Sequence, residues 1–421
     1  MEELTLDIEK LVHGGYGLAT YGGKKVFVRY ALPGERVKAQ VIKEKKDYIE
    51  AQAVDIILPS AYRVDPPCPY YGFCGGCQLQ HLEYGQQLEQ KKLILLEDLY
   101  RIGGIREELQ VKTVASASYH YRIRVQFKVK DGRLGFFKPQ SNELIEISEC
   151  MLCHSEINAL VPSLKEVLKK AKDVQEIHVL YSPTEDEFLV KLVGPMAQDK
   201  DTLRKLMEGT LPKRVVGLGD FHILSGKLIK RSHVGREFTF IKVGNYTYRV
   251  SNESFFQVNH TTWEKLIEEA IEGAYGRALE LYSGVGFFSL PLSEKVEFLT
   301  AGEMNPTSVK DAQYSARLIG RSNITFVHSP SKEILKDHAG ELVDFVLVDP
   351  PRTGLTGEEL KLLLQMKPTR INYVSCNTST LARDLSILVK GGYSIRGITL
   401  VDNFPQTYHI ESVVRLEFKG T

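Results

Sequence analysis

The sequence predicts a multidomain protein: an N-terminal β-barrel of the oligonucleotide-binding (OB-like) kind, a central α+β region and a C-terminal doubly wound α/β domain. Three observations carry this expectation. Short alternating runs with glycine turns crowd the first 59 residues, the pattern of a small barrel. From about Ser251 onward, helical and strand-like stretches alternate, as they do in a doubly wound sheet. Within that part, apolar runs end in loops that carry chemistry: Ala278–Leu281 before Ser283-Gly284-Val285-Gly286, Phe345–Val348 before Asp349-Pro350-Pro351-Arg352, and Ile371–Val374 before Ser375-Cys376-Asn377. Ligands of open α/β sheets bind beyond the carboxyl ends of the strands, so these loops meet in one crevice.

The expected units are 1–59, 60–245 and 246–421, within reach of 421 residues. In the first, Val26–Val28, Val37–Val41 and Ile49–Val54 are strand-like, with turns at Gly14-Gly15-Tyr16-Gly17, Gly22-Gly23 and Pro33-Gly34. The second begins with a cysteine-rich loop, continues with a helix around Gln86–Leu99 and contains strands at Tyr121–Lys130 and Phe188–Val193. In the third, Trp263, Leu266, Ile267, Ala270 and Ile271 share one face of a helix over Thr262–Ile271. Thr356 and Glu359 form a capping box ahead of Leu360–Leu364.

An apolar fraction of 43% with 25% charged residues is that of a soluble globular chain. No signal segment and no run of membrane-spanning length is visible, so a cytoplasmic protein without membrane association is expected, with a monomer as the default. The net charge of +1 hides two basic stretches: Lys24–Lys46 at +6, and Tyr119–Lys138 at +5 with aromatics interleaved. Such stretches either bind phosphates and stack on bases or form strands with solvated cations and inward rings.

Six cysteines occur. Cys74-Gly75-Gly76-Cys77 places two thiols on a tight loop, Cys68 adds a third, and the fourth is Cys150 or Cys153. A thiolate set of this kind suits zinc or an iron–sulfur cluster. Cys376 stands apart, in a polar Ser375-Cys376-Asn377-Thr378 setting just past a strand, the position of a nucleophile rather than an apolar filler.

Ser289 occupies the third glycine position of a dinucleotide fingerprint, which disfavours NAD. The turn suits an S-adenosyl group, which lacks a pyrophosphate, and Glu303 at the next strand end can accept ribose hydroxyls. Asp349-Pro350-Pro351 followed by Arg352 rather than an aromatic ring, together with Cys376, favours methylation at carbon over an exocyclic amine. C5 of uracil becomes nucleophilic only after a thiolate adds to C6, and a base must afterwards remove the C5 proton. His409 and Glu411 are both candidates for that base.

Taken together, these residues resemble the RNA uridine-C5 methyltransferases that use S-adenosylmethionine, in particular the iron–sulfur members acting on 23S ribosomal RNA. The resemblance spans essentially the full chain. It implies that residues 1–59 are a TRAM RNA-binding domain and that the C-terminal part is a class I methyltransferase. It further implies that Cys68, Cys74, Cys77 and Cys150 ligate a [4Fe-4S] cluster, with Gln80-His81 following Cys77 as in the family. Gln257, within Ser254-Phe255-Phe256-Gln257-Val258-Asn259, would contact the cofactor, as would Tyr282, Glu303 and Asp349. Cys376 would be the nucleophile and Glu411 the proton acceptor, with His409 a neighbour. The RNA implied is 23S rRNA; a transfer RNA substrate, or a non-catalytic RNA-binding protein, is the alternative. Ser283, Phe287 and Pro330 depart from the family pattern, which has cysteine, asparagine and a polar residue there.

Overall fold

The computed structural model describes residues 2–419. Its first unit is a six-stranded sheet in the order Glu3–Asp7, Arg36–Glu44, Tyr48–Leu58, Lys24–Arg29, Tyr16–Tyr21, Lys10–Val12. The first and last of these strands are consecutive in the chain, and the Glu9 N–H donates to the Leu18 carbonyl at 2.8 Å, so the sheet curls back on itself as a barrel. Period-two burial places Leu4, Leu6, Val26, Val28, Val37 and Ala39 inside.

A second, seven-stranded sheet runs Leu144–Glu146, Arg133–Phe137, Arg124–Lys130, Glu176–Ser182, Glu187–Val193, Val215–Leu224, Lys227–Gly235. Strand structure expected from Tyr121 starts only at Arg124. His120 adopts a positive φ of 56°, and Arg122 is diverted into isolated bridges with Cys153 and Asn259. Tyr121 and Phe127 are fully buried, while Lys128 pairs with Glu176 and Lys138 with Glu143. In this stretch the aromatics therefore point inward and most of the cations are held by the protein itself.

The third sheet has eight strands in the order Ile324–His328, Phe298–Glu303, Arg277–Leu281, Phe345–Val348, Arg370–Ser375, Glu411–Phe418, Tyr393–Val401, Val111–Val114. The first five are mutually parallel, and Glu411–Phe418 inserts antiparallel beside Arg370–Ser375. Helices Pro306–Leu318, Gly357–Met366 and Thr378–Lys390 alternate with these strands, and the expected capping box of Thr356 and Glu359 is formed. Val111–Val114 lies within the expected 60–245 unit, as does helix Tyr84–Arg101, and both join the C-terminal sheet region. That helix is fastened by Lys91 Nζ, which donates to Asp402 Oδ1 at 2.6 Å with both side chains 1% exposed. Among the described residues, no helix is long and apolar enough to cross a membrane.

Candidate active site

Strand pairing assembles the crevice. Ser375 faces Ser412 where the antiparallel pair ends, and Cys376 and Glu411 adjoin those partners, close enough for the carboxyl to act on the thiol. Asp349 follows the Val348–Tyr373 partners on the neighbouring strand and completes the group.

Burial dominates the electrostatics here. It pushes the Glu411 carboxyl up to about 8, and the negative charge of Asp349 adds to the rise. Asp349 itself is pushed to about 7 by burial. The Cys376 thiol rises to about 11 through burial and through Glu411 and Asp349, and Arg352 opposes that rise. Arg352 also opposes the rise of Glu411. It also donates through Nη2 to the His409 ring at 3.1 Å. His409 is driven down to about 3 by burial and by Arg352, which makes it a neutral acceptor. It lies outside the strand that begins at Glu411, so the two candidate bases do not share an extended face.

Asn403, which sequence reasoning did not single out, connects further parts. Its amide lies near Glu411 and partly offsets the carboxyl's rise. Its Nδ2 donates to Gln257 Oε1 at 3.3 Å, and Thr262 Oγ1 donates to its Oδ1 at 2.8 Å. Gln257 thus sits behind Glu411, connected to it through Asn403. No motif marks Asn403, since its importance arises only when the 402–410 loop folds onto the Gln257 segment.

The glycine turn lies at the end of Arg277–Leu281. Tyr282 adopts a left-handed φ of 66°, unusual for a bulky side chain, and its hydroxyl donates to Glu359 Oε1 at 2.6 Å. Strain of this kind costs about 1–3 kcal/mol and persists where surrounding bonds impose it. Glu303 accepts from the Gly284 N–H at 2.9 Å and from the Asn305 N–H at 2.7 Å, which fixes its carboxylate against the turn. A side chain at Gly284 would face open space, with nothing within 4 Å of an ideal Cβ. Ser283 Oγ and both Glu280 carboxylate oxygens are buried without hydrogen-bond partners. Burial first, then Asp349 and Glu303, push Glu280 up to about 8. A turn with room above it, buried acceptors and an excess of acid is a setting that a cationic sulfonium with an ammonium group complements. Phe287 packs between Tyr248 and Phe256, an apolar role in place of a polar cofactor contact.

The thiols of Cys68, Cys74, Cys77 and Cys150 line one cavity of about 50 Å³, walled by Phe136, Ile147, Leu152, Gln80 and Arg122. Cys153 is fully buried in the adjoining core instead. Among the described residues, no group of three or more His, Cys, Asp or Glu is drawn together closely enough to hold a metal ion. The surroundings nevertheless suit an anionic all-thiolate centre. Arg122 Nε and Gln80 Oε1 are buried without partners, the Arg122 guanidinium neighbours Cys77 and Cys150, and Gln80 lines the same cavity. Sequence reasoning placed Arg122 only within a basic stretch; its unpartnered nitrogen becomes visible only in three dimensions.

A parallel α/β sheet with an antiparallel strand beside its end, a glycine turn and an acid at the next strand end define a class I S-adenosylmethionine-dependent methyltransferase. Residues 83–419 match the family described as tRNA (Uracil-5-)-methyltransferase, and residues 1–54 match the TRAM domain. The chain belongs to this family of RNA uracil-C5 methyltransferases and carries an N-terminal TRAM domain. It is 49% identical over 419 residues to an RNA methyltransferase of Aquifex aeolicus, covering 99% of each chain. To the 23S rRNA (uracil(1939)-C(5))-methyltransferase RlmD of Marinomonas sp. it is 33% identical over 425 residues, covering 99% of this chain and 95% of that one. In fold it resembles the tRNA (uracil-54, C5)-methyltransferase of Pyrococcus abyssi in complex with S-adenosyl-L-homocysteine. That likeness has a TM-score of 0.78 at 24% identity, over 98% of this chain and 100% of the other.

Proposed function

We propose that this enzyme methylates C5 of one uridine in 23S ribosomal RNA through a covalent adduct between Cys376 Sγ and C6. The observation that carries the reading is the meeting of Cys376 and Glu411 where two paired strands end, beside the crevice of the glycine turn. The uridine must leave its stack to reach the thiol. Arg352 favours the thiolate of Cys376, which adds to C6, breaks the C5=C6 double bond and moves an electron pair to the C4 oxygen. Bound S-adenosylmethionine supplies an electrophilic methyl group on a positively charged sulfur. C5 would bond to that methyl carbon as the enolate returns its electron pair, while the carbon–sulfur bond breaks and its pair leaves on a neutral thioether. The Glu411 carboxylate takes the C5 proton, the double bond re-forms and the thiolate leaves. Glu303 would hold the ribose, and Gln257, Tyr282 and Asp349 the remainder of the donor.

Cys68, Cys74, Cys77 and Cys150 would hold a [4Fe-4S] cluster whose contribution is structural, because the reaction moves no unpaired electron. The Arg122 guanidinium beside the thiols supports this assignment. The relatives that support ribosomal RNA are those named for 23S rRNA, at 33% and 31% identity. A tRNA substrate is the second reading, favoured by the family's own description. Transfer of labelled methyl groups to deproteinised 23S rRNA and to bulk tRNA, with mass mapping of the product, separates the two. We expect one 5-methyluridine in 23S rRNA. Transfer to tRNA alone selects the second reading, and transfer to neither overturns both.

A further inference from the structure

The barrel turn His13-Gly14-Gly15-Tyr16 abuts both the cysteine-rich loop and the loop that precedes Glu411. A Cβ added to Gly15 would lie 2.9 Å from Gln78 Cβ and 3.5 Å from Tyr408 Cβ, so glycine permits the approach. At this junction lies a cavity of about 270 Å³ bordered by His13, Tyr16, Arg29, Tyr30, Gln78 and Tyr408. Its volume is near the lower end of small-ligand pockets, roughly 300–1,000 Å³. That is room for a single small planar group and too little for a helix or a folded partner.

The lining is chemically specific. Arg29 Nη2 is buried and has no hydrogen-bond partner, an uncompensated donor that calls for an oxygen acceptor. Tyr16, Tyr30 and Tyr408 border the same cavity, each braced against another aromatic ring of the protein, and no residue accepts from Arg29 Nη2. Tyr408 also packs at 4.2 Å against His409, which in turn accepts from Arg352. The rings of Tyr408 and His409 thus connect this cavity to Arg352, the cation beside Cys376.

From this juxtaposition we propose that the cavity is a second nucleotide subsite, which takes an unpaired nucleotide of the same RNA strand, close in sequence to the methylated uridine. Its base rests against the tyrosine rings, and a phosphate or base-edge oxygen accepts from Arg29, the usual division between stacking and backbone contact in single-strand recognition. This inference rests on the reading of the protein as an RNA uridine methyltransferase. It assigns the barrel a share in choosing the target, because the subsite is built jointly by the barrel and by the segment leading to the catalytic strand.

The test uses the full-length protein and a transcript of the RNA region that the wild type methylates. Single abasic nucleotides are walked through the three positions on either side of the target uridine. Arg29→Ala, and Tyr16→Leu, which keeps apolar volume against Phe27 while removing the ring face, should each raise KM for RNA about tenfold without moving KM for the methyl donor. One abasic position should reproduce that rise in the wild type and add nothing further in Tyr16→Leu, the non-additivity of a shared contact. If no abasic position couples to either variant while the wild type still methylates the transcript, the subsite is rejected and the functional reading stands. If the wild type methylates no RNA, both fall.

Discussion

Cys376 stands alone among acids, whereas Cys68, Cys74, Cys77 and Cys150 stand together beside a cation. In the crevice, burial and then Glu411 and Asp349 raise the thiol, and Arg352 opposes them. At the cavity of four thiols, the buried guanidinium of Arg122 neighbours the sulfurs. The difference separates a thiol poised to react only when a cationic donor enters from thiols suited to permanent thiolate ligation. The two sites are also connected. The N–H groups of Gln78 and Leu79, next after Cys77, both donate at 3.0 Å to the Gln406 carbonyl in the loop before Glu411. The cysteine-rich loop is thus a brace for the segment that presents the proposed base.

The sharpest way to break this contrast is to remove the isolated thiol. Cys376→Ala should lower methyl transfer by at least ~10⁴-fold, since no other group can open the C5=C6 bond. Binding of RNA and donor should persist in equilibrium titrations. Residual turnover within tenfold of the wild type would remove the covalent route.

Glu411→Gln tests the partner across the strand pair. With no carboxylate to accept the C5 proton, the adduct forms but cannot collapse, and turnover should fall by ~10²–10⁴-fold. A denaturant-stable protein–RNA species should accumulate with the variant, and its absence alongside normal turnover would point to another base. His409 is the natural comparison. As a neutral acceptor bonded to Arg352, it predicts a milder loss in His409→Ala, seen in KM for RNA before kcat.

At the other thiol site, replacing a ligand should act through structure. Cys150→Ser should lose iron, measured by elemental analysis, and lower Tm, at roughly 2–4 °C per kcal/mol for the domain affected. Cys153→Ser should keep its iron, because Cys153 lies in the core and does not line the cavity. If both variants keep iron, or neither purified protein ever holds any, the cluster assignment fails. The brace adds a directional expectation: loss of metal should slow methyl transfer by loosening the loop around Gln406, with donor affinity less affected.

Much of the fold was legible because its signals are local. Turn glycines and alternating runs marked the barrel, and the Thr356–Glu359 spacing marked a helix start that formed as expected. The three loops at strand ends were legible for the same reason, since carboxyl-end placement follows from strand order. What escaped sequence reading depends on contacts between distant segments. Val111–Val114 joins the C-terminal sheet across nearly 300 residues of chain, pairing with Ile398–Val401, and no local pattern encodes that partner. Asn403 and Arg122 escaped likewise: each is an ordinary polar residue until folding sets it beside Glu411 or the thiols. The basic stretch over Tyr119–Lys138 turned out largely inward and self-paired, whereas Arg29, in the other stretch, was left with an unsatisfied donor.

The smallest effect, and the one that most directly compares the two sites, is the response to pH. The acids near Cys376 carry raised values, Glu411 about 8 and Asp349 about 7. Both are therefore substantially protonated near pH 6. Chemistry needs the thiolate and the carboxylate, so kcat/KM should climb between pH 6 and pH 8, by at most ~10-fold per unit for each group that must ionise. A cationic donor favours the ionised acids, so its binding near pH 7 should release protons, detectable by calorimetry in buffers of different ionisation enthalpy. Stability runs the other way. Glu411 lies at about 8 in the folded chain against its ordinary value of 4.5, so its stabilising contribution is full below about 4.5 and is lost as pH rises through 8. Glu411→Gln, which cannot ionise, should therefore match the wild type in Tm near pH 5 and exceed it by a few degrees, about 2–4 °C per kcal/mol, near pH 8.5. Equal melting temperatures at both pH values would mean that the carboxyl is solvated in the folded protein, and that the acidic character assigned to this crevice is wrong.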